Sequence, residues 1–416
     1  MRTMSLLRAL IGTARLVRHA PRLAAGCPPD DDVLLDVPDT RLAPALVAAA
    51  LGDPGPAAGL LAATRDAAAW EDRDRHVTRL AAFAYHRDGW LHRWLADTPD
   101  DPDALLVHAQ LAVRRAWDSP ARAERLRETG PLIQAAAEAC PRDPVPWRLA
   151  LDHAHGTRAG HSAFEALWEQ AVRRAPHHYG SHVAALKYLS AQDGARGGGR
   201  PHRPHRECFD FAEQAAEDAL PGSLAQALPV RAAFAQLIAG AWAEHGVPGE
   251  RIDAAADRAL ALSAEYPAGD LWPAEVRNLL VYVLVARGRP HDALAEFRRI
   301  GPHATSFPWR LIADDPLRGF LDARTTAVRE VARRTPLRTG GETQVGGEAG
   351  GEAEIGSEVG SGLASEAGSV VLPGSRAGDP GRAEAVPEAV RGAGAGADRT
   401  GPNGRPGRGG PGGHYA

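Results

Sequence analysis

HSAFEALWEQAVRRAP, residues His161–Pro176, is the stretch on which the fold turns. Phe164, Leu167, Trp168, Ala171, Val172 and Ala175 recur at three- and four-residue intervals, while Glu165, Glu169 and Arg173 fall opposite. On a 3.6-residue helix that spacing makes one apolar stripe and one charged face. Pro176 then ends the segment, since proline has no amide hydrogen to continue the ladder. A helix this short holds only if its stripe is covered by a neighbour.

The same punctuation recurs along the chain. A proline closes an Ala/Arg-rich segment at Pro99, Pro141, Pro176, Pro221, Pro267 and Pro302, with separations of 42, 35, 45, 46 and 35 residues. A short polar side chain follows nearly every one: Asp101 before Pro102, Asp143 before Pro144, then Ser181, Ser223 and Asp270. Such residues cap the free amides of a new helix, and proline is tolerated in its first turn. The acid pairs Asp100/Asp101 and Asp314/Asp315 are read as caps of this kind rather than as acid–base chemistry. Two helices in each roughly 34–47-residue unit is the pattern of an α-solenoid. The expected fold is therefore all-α, with antiparallel helix pairs stacked over residues 41–335.

The remainder of the chain differs in composition. Met1–Leu23 contains no acid; Arg8, Arg15, Arg18 and Arg22 share one side of a helical wheel, opposite Leu6, Leu10, Ala14 and Val17. It reads as a basic amphipathic helix, and the arginines argue against a secretory signal. Cys27–Pro38, rich in Pro and Asp, reads as a linker. Residues 336–416 are mostly Gly, Glu, Ser, Pro and Ala, with no aromatic until Tyr415, and a disordered tail is expected. Strand-like runs are confined to Val33–Val37 and Val370–Leu372.

Charge and cysteine usage restrict the function classes. The net charge is −4 and Lys187 is the only lysine, so no dominant positive field calls for a nucleic-acid partner. Cys27, Cys140 and Cys208 are far apart and odd in number, which disfavours a disulfide framework and points to a cytoplasmic setting. No long uninterrupted apolar run suggests a membrane span.

LVYVLVARGRPHDALAEF, Leu280–Phe297, resembles a tetratricopeptide repeat, with Leu280 and Leu284 on one helix, Gly288 at the turn, and Ala293 and Phe297 on the next. Phe164–Leu189 is similar to the half-a-tetratricopeptide variety, with Trp168, Ala171 and Pro176 at its landmarks. AALKYLSA (Ala184–Ala191) with FAEQAAEDALPGSLAQALP (Phe211–Pro229) resembles a bacterial helical family of uncharacterised function. These resemblances imply a helical-repeat fold and transfer no functional residue.

Few residues suggest chemistry. His153, His155 and His161 flank one turn and His177, His178 and His182 the next, but Gly180 interrupts the His178–His182 spacing and no HExxH-like pair sits on one uninterrupted helix. Cys208 in HRECF is read as a core residue. Arg196, Arg200, Arg203 and Arg206 around Gly197–Gly199 lack a phosphate-loop signature and read as a solvated insertion. No residue is assigned a catalytic, cofactor-binding or metal-binding role. The expected function is a non-enzymatic scaffold for a protein or peptide, with Trp147, Trp168, Tyr188, Trp272 and Tyr282 as candidate groove residues. Two alternatives are an enzyme with a site around His153–His182, and a peripheral membrane factor docking through Met1–Leu23.

Overall fold

The computed structural model describes residues 25–191, 204–239 and 246–335. Met1–Leu23, most of the Arg/Gly insertion and the tail from 336 lie outside them.

Alanine-rich segments become helices wherever the periodicity places an apolar stripe. In chain order they are α1 (Leu42–Ala50), α2 (Gly55–Asp66), α3 (Trp70–Ala84), α4 (Gly89–Asp97), α5 (Pro102–Trp117), α6 (Arg122–Glu128) and α7 (Gly130–Ala139). There follow α8 (Val145–Thr157), α9 (His161–Arg174), α10 (Tyr179–Ser190), α11 (Pro204–Glu217), α12 (Leu228–Ile238) and α13 (Gly249–Ala264). Last come α14 (Ala274–Ala286), α15 (Pro290–Ile300), α16 (Ser306–Trp309) and α17 (Pro316–Arg334). The chain is thus all-α in its described residues, apart from two short strands. No described helix is long and apolar enough to cross a membrane.

Packing follows the chain closely. The helices lean mainly on those one or two places away: α3 and α7 on α5, α10 on α8, α14 on both α12 and α15, and α17 on α15. One core runs from Leu42 to Ala150 and a second from Val183 to Ala327 with Val33 added to it, and a smaller one gathers around Phe164, Ala171 and Tyr188. The Leu280–Phe297 segment is the α14–α15 pair: Leu280, Leu284, Ala293 and Phe297 are all buried, and Gly288 takes φ +68° in the turn. That left-handed conformation favours a residue without Cβ.

Some of the anticipated caps are present. Asp101 accepts the amides of Asp103 (2.8 Å) and Ala104 (3.1 Å) at the start of α5, and Asp315 accepts those of Leu317 and Arg318 at α17. Ser223 caps the short 3₁₀ turn Leu224–Ala227 through the Ala225 amide, whereas Asp143 and Asp270 accept the Val145 and Trp272 amides from outside the cap positions of α8 and α14, which are Pro144 and Pro273. Ser181 departs from the expectation. It lies inside α10, and the cap is the His178 ring, whose Nδ1 accepts the Ser181 amide. Gly180, in the first turn, packs so close to α3 that a Cβ there would stand 2.1 Å from Asp74 Oδ2. Asp101→Ala is expected to cost about 1 kcal/mol, lowering the urea midpoint without changing the slope.

Cys27–Pro38 is not a free connector. β1 (Leu34–Leu35) lies parallel to β2 (His303–Ala304), with the Leu34 amide donating to Pro302 O (2.8 Å) and the Asp36 amide to Ala304 O (2.9 Å). Arg324 on α17 donates to Pro28 O and pairs with Asp30. A segment preceding the first helix is therefore fastened to the last helices described.

Candidate functional site

The polar groups that could carry function gather along α3, WEDRDRHVTRLAAFA. Val77, Leu80, Ala81 and Ala84 face the first core, together with Arg73 and His76. Glu71, Asp74, Arg75 and Arg79, spaced three and four residues apart, line another side. In sequence such a row reads as a solvated face. In the structure each member is engaged by a distant segment.

Glu71 Oε1 accepts the Tyr179 amide at 2.7 Å, where α10 begins. Asp74 pairs with Arg148 of α8, and its other oxygen lies 3.6 Å from His178 Nε2. The Arg75 guanidinium lies 4.1 Å from the centre of the Trp272 ring and donates to the carbonyls of Trp272 (2.6 Å) and Leu271 (3.3 Å). Arg79 pairs with Asp36 (3.2 Å), which also receives the amide and hydroxyl of Ser306. Arg231 of α12 adds a second guanidinium: it donates to the Tyr179 hydroxyl (3.3 Å), pairs with Glu275 and covers the Phe307 ring at 4.6 Å. Guanidinium is suited to such places, because it is weakly hydrated, stacks on rings and offers several donors.

His178 is the most constrained member. Nδ1 accepts the Ser181 amide and lies 2.9 Å from the Ser181 hydroxyl, so the ring's proton belongs on Nε2, facing Asp74 and Glu71. Burial disfavours a second proton and holds the imidazole down to about 4. Burial acts the opposite way on Glu71, pushing its carboxyl up to about 7 despite the Tyr179 amide, with Asp74 adding to the rise. Ser181, His178 and Asp74 have the composition of a nucleophilic triad. Yet Ser181 is 0% exposed and its hydroxyl has no approach for a substrate. The arrangement joins helices.

Of the five aromatic groove candidates, Trp147, Trp168 and Tyr188 gather on the small cluster around Phe164 and Ala171, whereas Trp272 and Tyr282 pack on the second core. Tyr188 is 1% exposed, stacked on Phe164 at 3.9 Å between ring centres, with its hydroxyl donating to Ala159 O. It is a core residue and lines no open groove. Trp168 packs edge-on against His182 and Phe211. Trp272 lies beneath Arg75, and Tyr282 is set between Phe234 and Trp309. Trp147 lines a recess. Of the histidines, His178 and His182 are neighbours, with His182 Nδ1 2.9 Å from His178 O and its ring on Trp168, whereas His153 meets Leu126 O (2.8 Å), His155 stacks on Trp117 and His161 pairs with Glu165. Among the described residues, no group of three or more His, Cys, Asp or Glu side chains is placed to hold a metal ion. Cys208 is buried within α11.

The recess is a cleft of about 310 Å³ between α7 and α9, floored by α8. Ile133, Ala137, Trp147, Ala150 and Leu167 make it chiefly apolar, and His153 contributes a polar edge. It exists because small residues on α7 and α8 leave room beside a large ring. Its sequence signal is alanine at 137, 150 and 154, which in an alanine-rich chain is indistinguishable from ordinary helix propensity. Comparison with known protein families, with curated proteins and with solved structures finds no match to this chain.

Proposed function

We propose that this chain is a non-enzymatic helical-repeat scaffold, its helix pairs stacked as a tetratricopeptide-like solenoid, that holds a protein or peptide partner. The observation that carries the reading is the cleft between α7 and α9: it is chiefly apolar and has a tryptophan on its floor. Tryptophan offers large contact area at little entropic cost, and an apolar recess of this size accepts one or two partner side chains. The sequence-local packing of the helices supports the repeat architecture, since each pair leaves a stripe that the next pair covers.

Ala137→Phe fills the cleft from its wall. Affinity purification of the full chain from native cells is expected to recover a stoichiometric partner, and the variant to weaken its capture at least about tenfold, or ~1.4 kcal/mol. The variant's helical circular-dichroism signal and melting midpoint should stay close to those of the parent. Repeated captures without a stoichiometric partner, or undiminished capture by a folded variant, would remove the reading.

A further inference from the structure

We propose that residues 28–36 are a releasable strap, and that the seat they fill is a docking site for an extended acidic segment of a partner.

The strap is held as an added β-strand is held, by main-chain hydrogen bonds with side chains supplying the selectivity. Beside β2, the Leu34 amide donates to Pro302 O (2.8 Å) and the Asp36 amide to Ala304 O (2.9 Å). Val33, 4% exposed, is the one fully buried side chain among residues 28–36, and it belongs to the second core. A carboxylate stands three positions to either side of it. Asp30 pairs with Arg324 of α17, whose guanidinium also donates to Pro28 O (3.0 Å). Asp36 pairs with Arg79 of α3 (3.2 Å) and accepts the amide (3.1 Å) and hydroxyl of Ser306. The seat therefore selects an extended backbone, one aliphatic side chain and two negative charges, in the order Asp-x-x-Val-x-x-Asp. Both charged contacts are made by arginine, which binds carboxylate through several donors.

These attachments are weaker than those within the cores. β1 is two residues long, Asp30 is exposed, and Leu34 is 55% exposed. A segment with one buried side chain and a few peripheral hydrogen bonds opens at lower free energy than the helices beneath it. Its root is firmer. Asp39 accepts the Arg41 and Leu42 amides (2.9 and 2.8 Å) and lies 3.0 Å from the buried His76 ring, so α1 stays in place when the strap lifts. The bend falls near Asp36, which takes φ 56°, a left-handed conformation disfavoured for a residue with a Cβ. Lifting uncovers the Pro302 and Ala304 carbonyls, the place of Val33 and the Arg79 and Arg324 guanidiniums together. An open strand edge flanked by two arginines suits an extended acidic chain. The seat shares no residue with the α7–α9 cleft, so the two docking sites are tested independently.

Val33→Asp puts a charge into the apolar seat and expels the strap, leaving every seat residue unchanged. The probe is a fluorescent peptide of the strap's own sequence, PPDDDVLLDVPD, residues 28–39, titrated by anisotropy into the full chain. It is expected to bind the variant at least about tenfold more tightly than the parent, in which the tethered strap competes at a roughly millimolar effective concentration. The same peptide carrying Asp30→Asn and Asp36→Asn should bind the variant at least about tenfold more weakly than the acidic one. Hydrogen exchange of the parent, corrected for intrinsic rates, tests release without any variant. The Leu34 and Asp36 amides should exchange at least about tenfold faster than those in the middle of α14. Strap amides exchanging as slowly as α14 overturn the proposal. So does a folded Val33→Asp chain that binds no peptide, a parent that binds it equally well, or an asparagine peptide that binds as tightly as the acidic one.

Discussion

Replacing Arg73 with methionine is expected to cost about 3–5 kcal/mol, the range for removing one partner of a buried ion pair. Arg73 is wholly buried on α3, where Nε reaches Asp143 Oδ2 at 2.6 Å and Nη1 donates to Leu61 O at 2.9 Å. Nη2 lies 2.7 Å from Asp103 Oδ1, a charge contact whose angle falls short of hydrogen-bond geometry. Asp103 has a second cation in Arg65, whereas Asp143 relies on Arg73 and the Val145 amide. Methionine fills most of the space yet leaves two buried carboxylates short of positive charge. Stability should then depend on their neutralisation. Adding Asp143→Asn to the methionine variant should recover part of the loss, because the amide needs no counterion and its oxygen can still cap Val145. Urea denaturation of the single and double variants measures both effects. A loss below about 1 kcal/mol would show that the network contributes little to stability.

Trp309→Ala is expected to cost about 4 kcal/mol or more. The residue is 0% exposed in the second core, with Tyr282 and Phe320 packed edge-on at ring separations of 6.3 and 5.7 Å. Truncation leaves a cavity there, worth roughly 3–5 kcal/mol for a buried Trp. It also removes the Nε1 donor from Asn278 Oδ1 (2.9 Å), whose other contact is the Thr305 amide at 3.4 Å. Trp309→Phe separates the terms: most of the ring remains, so only the lost donor and a smaller void count, at about 1–3 kcal/mol. Denaturation followed by circular dichroism should rank the Ala variant well below the Phe variant. Equal losses would indicate that the Asn278 hydrogen bond dominates over packing.

Legibility in the sequence followed the range of the interactions concerned. Phe164 and Ala171 are buried on α9 while Glu165, Glu169 and Arg173 remain exposed, as their spacing requires. Asp101 and Asp315 cap helices because a cap acts on amides two or three residues ahead. The α14–α15 turn at Gly288 is equally local. Tyr188 was less legible: periodicity places it on a helix, but its burial depends on Phe164 and Ala159, more than twenty residues earlier. The α3 row was least legible. Glu71, Asp74, Arg75 and Arg79 have the spacing of a solvated face, and nothing near them in the chain distinguishes the two outcomes.

The sequence by itself determined that the middle of the chain is helical, that prolines close several of its segments, and which stripe α9 buries. Those properties arise from backbone geometry and side chains within about four residues of one another, so a window of fifteen contains them. Tertiary structure alone decided that Arg75 stacks on Trp272, that His178 rather than Ser181 caps α10, and that Leu34 lies beside His303. It also decided that Trp147 borders a cleft while Tyr188 is enclosed. Each of these turns on which distant surface removes a group from water, and desolvation has no signature in the order of neighbouring residues.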